Sequence, residues 1–281
     1  MSPPTALSVI LPASNEEAYL GACLGALLAG DPVPGGAEVI VVANGCRDRT
    51  AEIARDLAAT AADAGWRLQV IERAEGDKIG ALNAGDAAAT GPVRAYLDAD
   101  VTVSPPLMAA LTRALLAAPG PAYASGRAVI PRPESAITRA YARLWQRLPF
   151  VSSVAPGYGL FAVNAAGRAR WGTFPRIISD DTFVRLQFAP AERIGLPATY
   201  DWPMVEGWSR LVRVRRRQDA GVAEIAGRWP HLLENEGKAP FGPAAAARLA
   251  LGDPVGFSVY AAVSVAVRMG RGRPAGWTRG R

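Results

Sequence analysis

Apolar and polar positions alternate between two periods along the first 120 residues, and the alternation predicts the elements. Short apolar runs read as buried strands at Leu7–Leu11, Glu38–Val42, Leu68–Ile71 and Val93–Leu97. Between them lie helical patterns from Glu16 to Ala29, opened by Ser14 or Asn15 as cap, from about Thr50 to Ala64, and from Ile79 to Ala89. Pro105 to Ala118 completes the series, with proline tolerated in a first turn. Strands alternating with helices of this length imply α/β architecture, a mostly parallel twisted sheet built with right-handed crossovers. Past Gly120 the beat loosens. Ala122–Ile130 and Gly159–Val163 read as strands, and Ser135–Leu148 and Asp181–Phe188 as helices. Arg193 to Arg217 reads as extended segments broken by Pro197 and Pro203, and Pro243–Leu251 and Val255–Met269 as two terminal helices. The divisions expected are 1–120, 121–240 as the second half of the same domain, and a helical extension with a basic tail over 241–281.

Composition narrows this picture. Of 281 residues, 50% are hydrophobic, enough for a substantial core. The net charge of +6 is concentrated in Arg213, Arg215, Arg216 and Arg217 and in a tail holding Arg268, Arg271, Arg273, Arg279 and Arg281. Clustering of this kind fits phosphate or anionic lipid as well as nucleic acid, and no nucleic-acid partner is expected. Cys23 and Cys46, with no CxxC pair, indicate neither a disulfide framework nor a zinc site, and a cytoplasmic setting is expected. No signal peptide is read at the amino terminus. No window reaches the roughly 18 to 20 uncharged apolar residues a membrane span needs. The nearly all-apolar Val255–Val267 either packs on the body or lies at a membrane interface, aided by the arginines behind it.

Candidate chemistry sits at the turns after the strands. The fourth run ends in Asp98-Ala99-Asp100, two carboxylates two residues apart at the edge where open α/β sheets bind ligands. Such a pair suits a divalent cation carrying phosphate oxygens, or serves as a plain helix cap. Pro12-Ala13-Ser14-Asn15-Glu16-Glu17 follows the first strand, where Ser14 and Glu17 are suited to capping. Ala43-Asn44-Gly45-Cys46-Arg47-Asp48 follows the second, with Asn-Gly a turn signal in itself. Gly76-Asp77-Lys78-Ile79-Gly80 follows the third, putting a lysine at a helix amino terminus where free amides favour phosphate. Neither a P-loop nor a dinucleotide fingerprint is present. Ser179-Asp180-Asp181 opens a later helix, as dipole complements or with one acid as a general base.

The order of these five motifs resembles the family-two nucleotide-sugar glycosyltransferases of the GT-A fold, over roughly residues 7 to 190. The resemblance implies that Pro12, Asn15, Glu16, Asn44 and Lys78 lie around the nucleotide and that Asp98 and Asp100 hold Mg²⁺ or Mn²⁺ with the diphosphate. It implies Asp181 as the catalytic base of an inverting enzyme, with Asp180 where many relatives carry glutamate. Two departures matter: Ala43 stands where many relatives have an aspartate reading uracil, so the base is open, and the Gln-x-x-Arg-Trp motif of processive members is missing. Arg216, within Arg215-Arg216-Arg217-Gln218, is expected to take over diphosphate contact. One sugar per event from a nucleoside diphosphate sugar is therefore expected, to a small-molecule or lipid-linked acceptor. Peripheral contact with the inner membrane face, through the last helix and tail, is also expected. The rival readings are a nucleotidyltransferase, which needs a basic glycine-rich loop after the first strand, and a catalytically silent carbohydrate- or lipid-binding protein. His231, Trp202, Trp208, Trp229 and Trp277 are read as packing or surface residues before sugar contacts.

Overall fold

The computed structural model describes residues 5–151, 153–237 and 241–269. The tail arginines beyond Arg268, and Trp277, lie outside them. In chain order the elements are β1 (Leu7–Ala13), α1 (Leu20–Leu28), β2 (Ala37–Asn44), α2 (Thr50–Asp56), α3 (Ala58–Asp63), β3 (Trp66–Arg73), α4 (Lys78–Ala88), β4 (Val93–Leu97), β5 (Thr102–Val103) and α5 (Leu107–Ala117). They continue with β6 (Tyr123–Val129), α6 (Ala136–Trp145), β7 (Leu160–Asn164), α7 (Ala165–Arg168), α8 (Asp180–Arg185), β8 (Arg193–Asp201), α9 (Trp208–Arg228), α10 (Pro243–Gly252) and α11 (Pro254–Met269).

All eight strands join one sheet in the order β3-β2-β1-β4-β7-β6-β8-β5. The first four are parallel neighbours, as the β–α alternation predicts. Beyond β4 the sheet is mixed: β7 runs antiparallel between β4 and β6, β6 and β8 pair in parallel, and β5 pairs antiparallel with β8. Helices cover both faces, so alternate residues of a central strand enter different cores. Leu7, Val9 and Leu11 of β1 join Leu20, Leu24 and Leu107 on one face. Ile10 joins Leu82, Tyr96, Phe161 and Phe183 on the other.

Local expectation fails in four places. The helix expected from Glu16 begins at Leu20, with no side-chain cap. Residues 15–17 instead clasp the loop after β2: Asn15 Oδ1 accepts from Arg47 N at 2.6 Å, Glu16 N donates to Thr50 Oγ1 at 2.8 Å, and Glu17 N donates to Asp48 Oδ2 at 3.2 Å. The Thr50–Ala64 helix is divided at Leu57 into α2 and α3. Pro197 does not interrupt β8, because the β6–β8 register shifts between Ser125 and Arg127 and the bulge frees that position from the ladder. Residues 208–217, read as part of the extended Arg193–Arg217 stretch, form the start of the 21-residue α9. Leu211, Val212, Gly221 and Ile225 are its buried positions, and the arginines suit helix as well as strand.

The carboxyl-terminal helices add a third core. Val263 and Val267 of α11 pack with Tyr141 and Trp145 of α6 and with Leu211 and Val212 of α9. None of the described helices is long and apolar enough to cross a membrane.

Candidate active site

The carboxyl ends of β1, β2 and β4 open into a cavity of about 810 Å³. Pro12, Asn15, Glu16, Asn44, Lys78, Asp98, Asp100, Asp180 and Asp181 all line it. Residues as distant in the chain as Pro12 and Asp181 meet here because each follows a strand of the same sheet edge or backs onto one.

Asp98 and Asp100 stand just past β4, where the Val93–Leu97 run predicts them. The strand ends at Leu97, and both acids occupy the turn to β5, with the Asp98 carbonyl accepting from Val101 N at 3.1 Å. Asp98 N donates to Gly159 O at 2.9 Å, so the return of β7 holds this turn. Gly159 has φ +75°, and a Cβ there would meet Cδ1 of Trp202 at 2.5 Å; only glycine lets the chain pass so close to that ring.

Lys78 is the electrostatic centre. Its Nζ lies 3.0 Å from Asp98 Oδ1 and 3.2 Å from Asp180 Oδ1. Burial works against the ammonium, but Asp180, Asp98 and Asp181 outweigh it and hold the lysine charged well above its ordinary range. The amides of the α4 amino terminus, expected to favour phosphate, are already taken: Asp77 accepts from Ile79 N and Gly80 N, both at 3.1 Å. The lysine side chain, rather than the helix end, is what can meet an anion.

Asp181 behaves differently from its neighbours. Burial raises its pKa above the ordinary carboxylate value, Asp180 adds to the rise, and Lys78 opposes it. Its Oδ1 accepts from Thr182 N at 2.6 Å, while Oδ2 accepts no hydrogen bond among the described residues. The loop carrying both acids leans on α9. Ile178 N donates to Glu224 Oε2 at 3.0 Å. A Cβ on Gly221 would fall 2.1 Å from Ser179 Oγ, so that glycine sets how closely α9 backs the acids.

Asn44 is 2% exposed, and its Nδ2 donates to Ala13 O at 2.9 Å. Its Oδ1 is buried with no partner among the described residues, an acceptor available to a donor in the cavity. Two carboxylates of a strand-end turn are hard oxygen donors suited to Mg²⁺ or Mn²⁺ when phosphate oxygens and water complete the shell. No group of three or more histidine, cysteine, aspartate or glutamate side chains is gathered as a metal site among the described residues. The donor set fits a cation that arrives with its ligand.

Arg216, expected at the diphosphate, points elsewhere. Its guanidinium donates to Ala266 O of α11 at 2.8 Å, and it does not line the cavity. Arg215 and Arg217, one position away on the helix to either side, do. Arg215 is held by Asp219 at 2.9 Å and by the hydroxyl of Tyr260 at 3.0 Å. His231 is exposed and Trp229 packs on Phe183, neither of them at the cavity. Of the far wall, the sequence singles out Trp202 alone. Trp145 stacks on Trp202 at 5.5 Å between ring centroids, Tyr158 lies 4.7 Å from Trp202, and Arg132 and Arg210 stand at the rim.

Residues 8–166 match the family described as Glycosyl transferase family 2. A curated relative, the uncharacterized glycosyltransferase EpsJ of Bacillus subtilis (strain 168), is 35% identical over 106 residues, 38% of this chain and 29% of that protein. The chain thus spans under a third of that relative's length. Among solved structures, the mannosyltransferase PcManGT of Pyrobaculum calidifontis, in complex with GDP-Man and Mn²⁺, has a TM-score of 0.60 at 23% identity, over 97% of this chain and 79% of that one. Glucosyl-3-phosphoglycerate synthase of Mycobacterium tuberculosis, in complex with Mn²⁺, UDP and phosphoglyceric acid, has a TM-score of 0.52 at 19% identity, over 85% and 81% of the two chains. At such identities the likeness concerns the fold, which is the α/β architecture of glycosyltransferases. The family match extends over more than half of the sequence and takes in every strand-end motif but the last, and on that ground the chain belongs to glycosyl transferase family 2.

Proposed function

We propose that this protein transfers a single sugar from a nucleoside diphosphate sugar to an acceptor hydroxyl or amine, with inversion at the anomeric carbon. The observation that carries the reading is the meeting of Lys78, Asp98, Asp100 and Asp181 in one cavity. The nucleotide end is assigned to Pro12, Asn15, Glu16 and Asn44, where the unpartnered Asn44 Oδ1 is suited to a base N–H. Ala43 leaves the identity of that base open. GDP-Man in PcManGT, and UDP in the mycobacterial synthase, make both guanosine and uridine nucleotides reasonable donors to test.

Asp181 Oδ2 accepts the proton of the acceptor as its oxygen or nitrogen attacks the anomeric carbon from the face opposite the diphosphate. The carbon–oxygen bond to the diphosphate breaks as the new bond forms. Lys78, already charged, and Arg215 or Arg217 offset the negative charge that the leaving diphosphate gains. Lys78 also bridges the carboxylates of Asp98 and Asp180. Mg²⁺ or Mn²⁺ bound by Asp98 and Asp100 would supply Lewis-acid neutralisation of the diphosphate. The aromatic wall of Trp145, Tyr158 and Trp202 bounds the acceptor side.

The test is release of nucleoside diphosphate from a panel of nucleotide sugars with Mn²⁺ or Mg²⁺, with the anomeric configuration of the product read by NMR. A β-linked product from an α-linked donor is expected. EDTA should abolish release, and Asp100→Ala should lower it by about 10²-fold or more. Full activity under chelation and in that variant would remove the metal from the reading. No release from any nucleotide sugar would leave a binding protein on the same fold.

A further inference from the structure

The last helix has two unlike sides. Gly256, Val263 and Val267 of α11 are buried against the body of the protein. Val255, Ser258, Ala262, Val265 and Met269 recur at steps of three and four residues on the opposite side, and all five are exposed. Val255 is 61%, Val265 54% and Met269 83% exposed, and Leu251 at the end of α10 is 86% exposed. The one hydroxyl in the stripe is satisfied internally, since Ser258 Oγ donates to Pro254 O at 2.8 Å. A continuous apolar stripe is therefore turned outward at a site unconnected with the cavity.

The charge of this end of the sequence is one-sided. Residues 237–281 contain Lys238, Arg248, Arg268, Arg271, Arg273, Arg279 and Arg281, and Asp253 is their only acid. That acid is already neutralised, with its carboxylate accepting from Arg143 Nε at 3.1 Å. Two copies of such a surface would repel, whereas an anionic one complements it. The 16 residues of α11 make a helix about 24 Å long, shorter than the roughly 30 Å hydrocarbon core of a bilayer. With one side committed to the protein, it suits lying along an interface rather than crossing it.

We infer that the exposed stripe of α11, with Leu251 of α10, docks this protein onto an anionic lipid surface. The apolar side chains enter the acyl boundary while Arg248 and Arg268 meet lipid phosphates. This docking does not depend on the transfer reaction proposed above, and its test is separate.

The full-length protein is sedimented with phosphatidylcholine vesicles and with vesicles containing phosphatidylglycerol. Binding to the second and about tenfold weaker binding to the first are expected. The double variant V265S/M269S, and separately Leu251→Ser, should lower partition by about tenfold and a few-fold respectively. Their thermal melts and vesicle-free release of nucleoside diphosphate should match the unsubstituted protein, because these side chains are more than half exposed and outside the buried cores. Absence of the unsubstituted protein from phosphatidylglycerol vesicles would overturn the inference. Unchanged partition of folded V265S/M269S would also overturn it, leaving charge alone as the cause of binding. A concentration-dependent dimer dissolved by V265S/M269S, without vesicle binding, would assign the stripe to a second copy instead.

Discussion

Asp181→Asn is expected to lower the transfer rate by about 10²- to 10⁴-fold, the usual loss of a general base. Asparagine keeps the volume and the hydrogen bond from Thr182 N, so the loop backed by α9 should stay in place. Nucleoside diphosphate affinity, read by calorimetry, should change little, because Lys78, Asp98 and Asp100 are untouched. The pH profile separates a base from a structural acid. Burial and the adjacent Asp180 raise the Asp181 pKa, so kcat/KM should fall, as pH is lowered, at a pH above the ordinary aspartate range. Activity is present above the raised pKa and lost below it, and the residual activity of Asp181→Asn should lack that limb. Stability has the opposite sign. A carboxyl whose folded pKa is raised binds more protons folded than unfolded, so it opposes folding once pH exceeds its unfolded value. Asp181→Asn should therefore not lower the melting temperature at neutral pH. Near-full transfer by this variant would remove Asp181 from the reaction.

Asp86→Ala is expected to destabilise the fold by about 3 to 5 kcal/mol, the range for removing one partner of a buried ion pair. Asp86 is 4% exposed on the sheet-facing side of α4. It pairs with Arg94 of β4 and Arg168 of α7, and Tyr96 donates to its Oδ1 at 3.0 Å. Alanine would leave two guanidiniums and a buried phenol facing a void. For a domain of this size the melting temperature should fall by roughly 6 to 20 °C, measured by differential scanning calorimetry. Asp86→Asn should lie between, since it retains acceptors while removing the charge. The network ties α4, which carries Lys78, to β4, which leads into Asp98, so donor affinity should weaken as well. A shift of only a degree or two in Asp86→Ala would show that the two arginines find other partners.

Much of the site was legible because its residues announce themselves locally. A buried strand followed by a polar turn is a short-range pattern, and Pro12, Asn15, Glu16, Asn44, Lys78, Asp98 and Asp100 all fall in or beside such turns. Asp180 and Asp181 stood out as adjacent acids opening a helix. Of the aromatic wall only Trp202 did, since Trp145, Tyr158 and Trp202 lie on three separate segments and meet only when the sheet closes. Arg216 failed for a similar reason: within four consecutive basic residues, composition cannot say which side chain a helix turns to the cavity. The alternating valines and arginines of residues 212–215 satisfied a strand period locally, while burial of Leu211, Gly221 and Ile225 required a helix.

The sequence by itself determined the parallel half of the sheet, the strand-end turns and the acids within them, because hydrophobic period and turn chemistry act over a few residues. Tertiary structure decided the rest. It set the antiparallel return of β7 that anchors Asp98, and the clasp that delays α1. It also made Asp77, not a ligand, the partner of the α4 amides, and chose Arg215 and Arg217 over Arg216. Each of these depends on what a distant segment brings alongside, and no local window contains that segment.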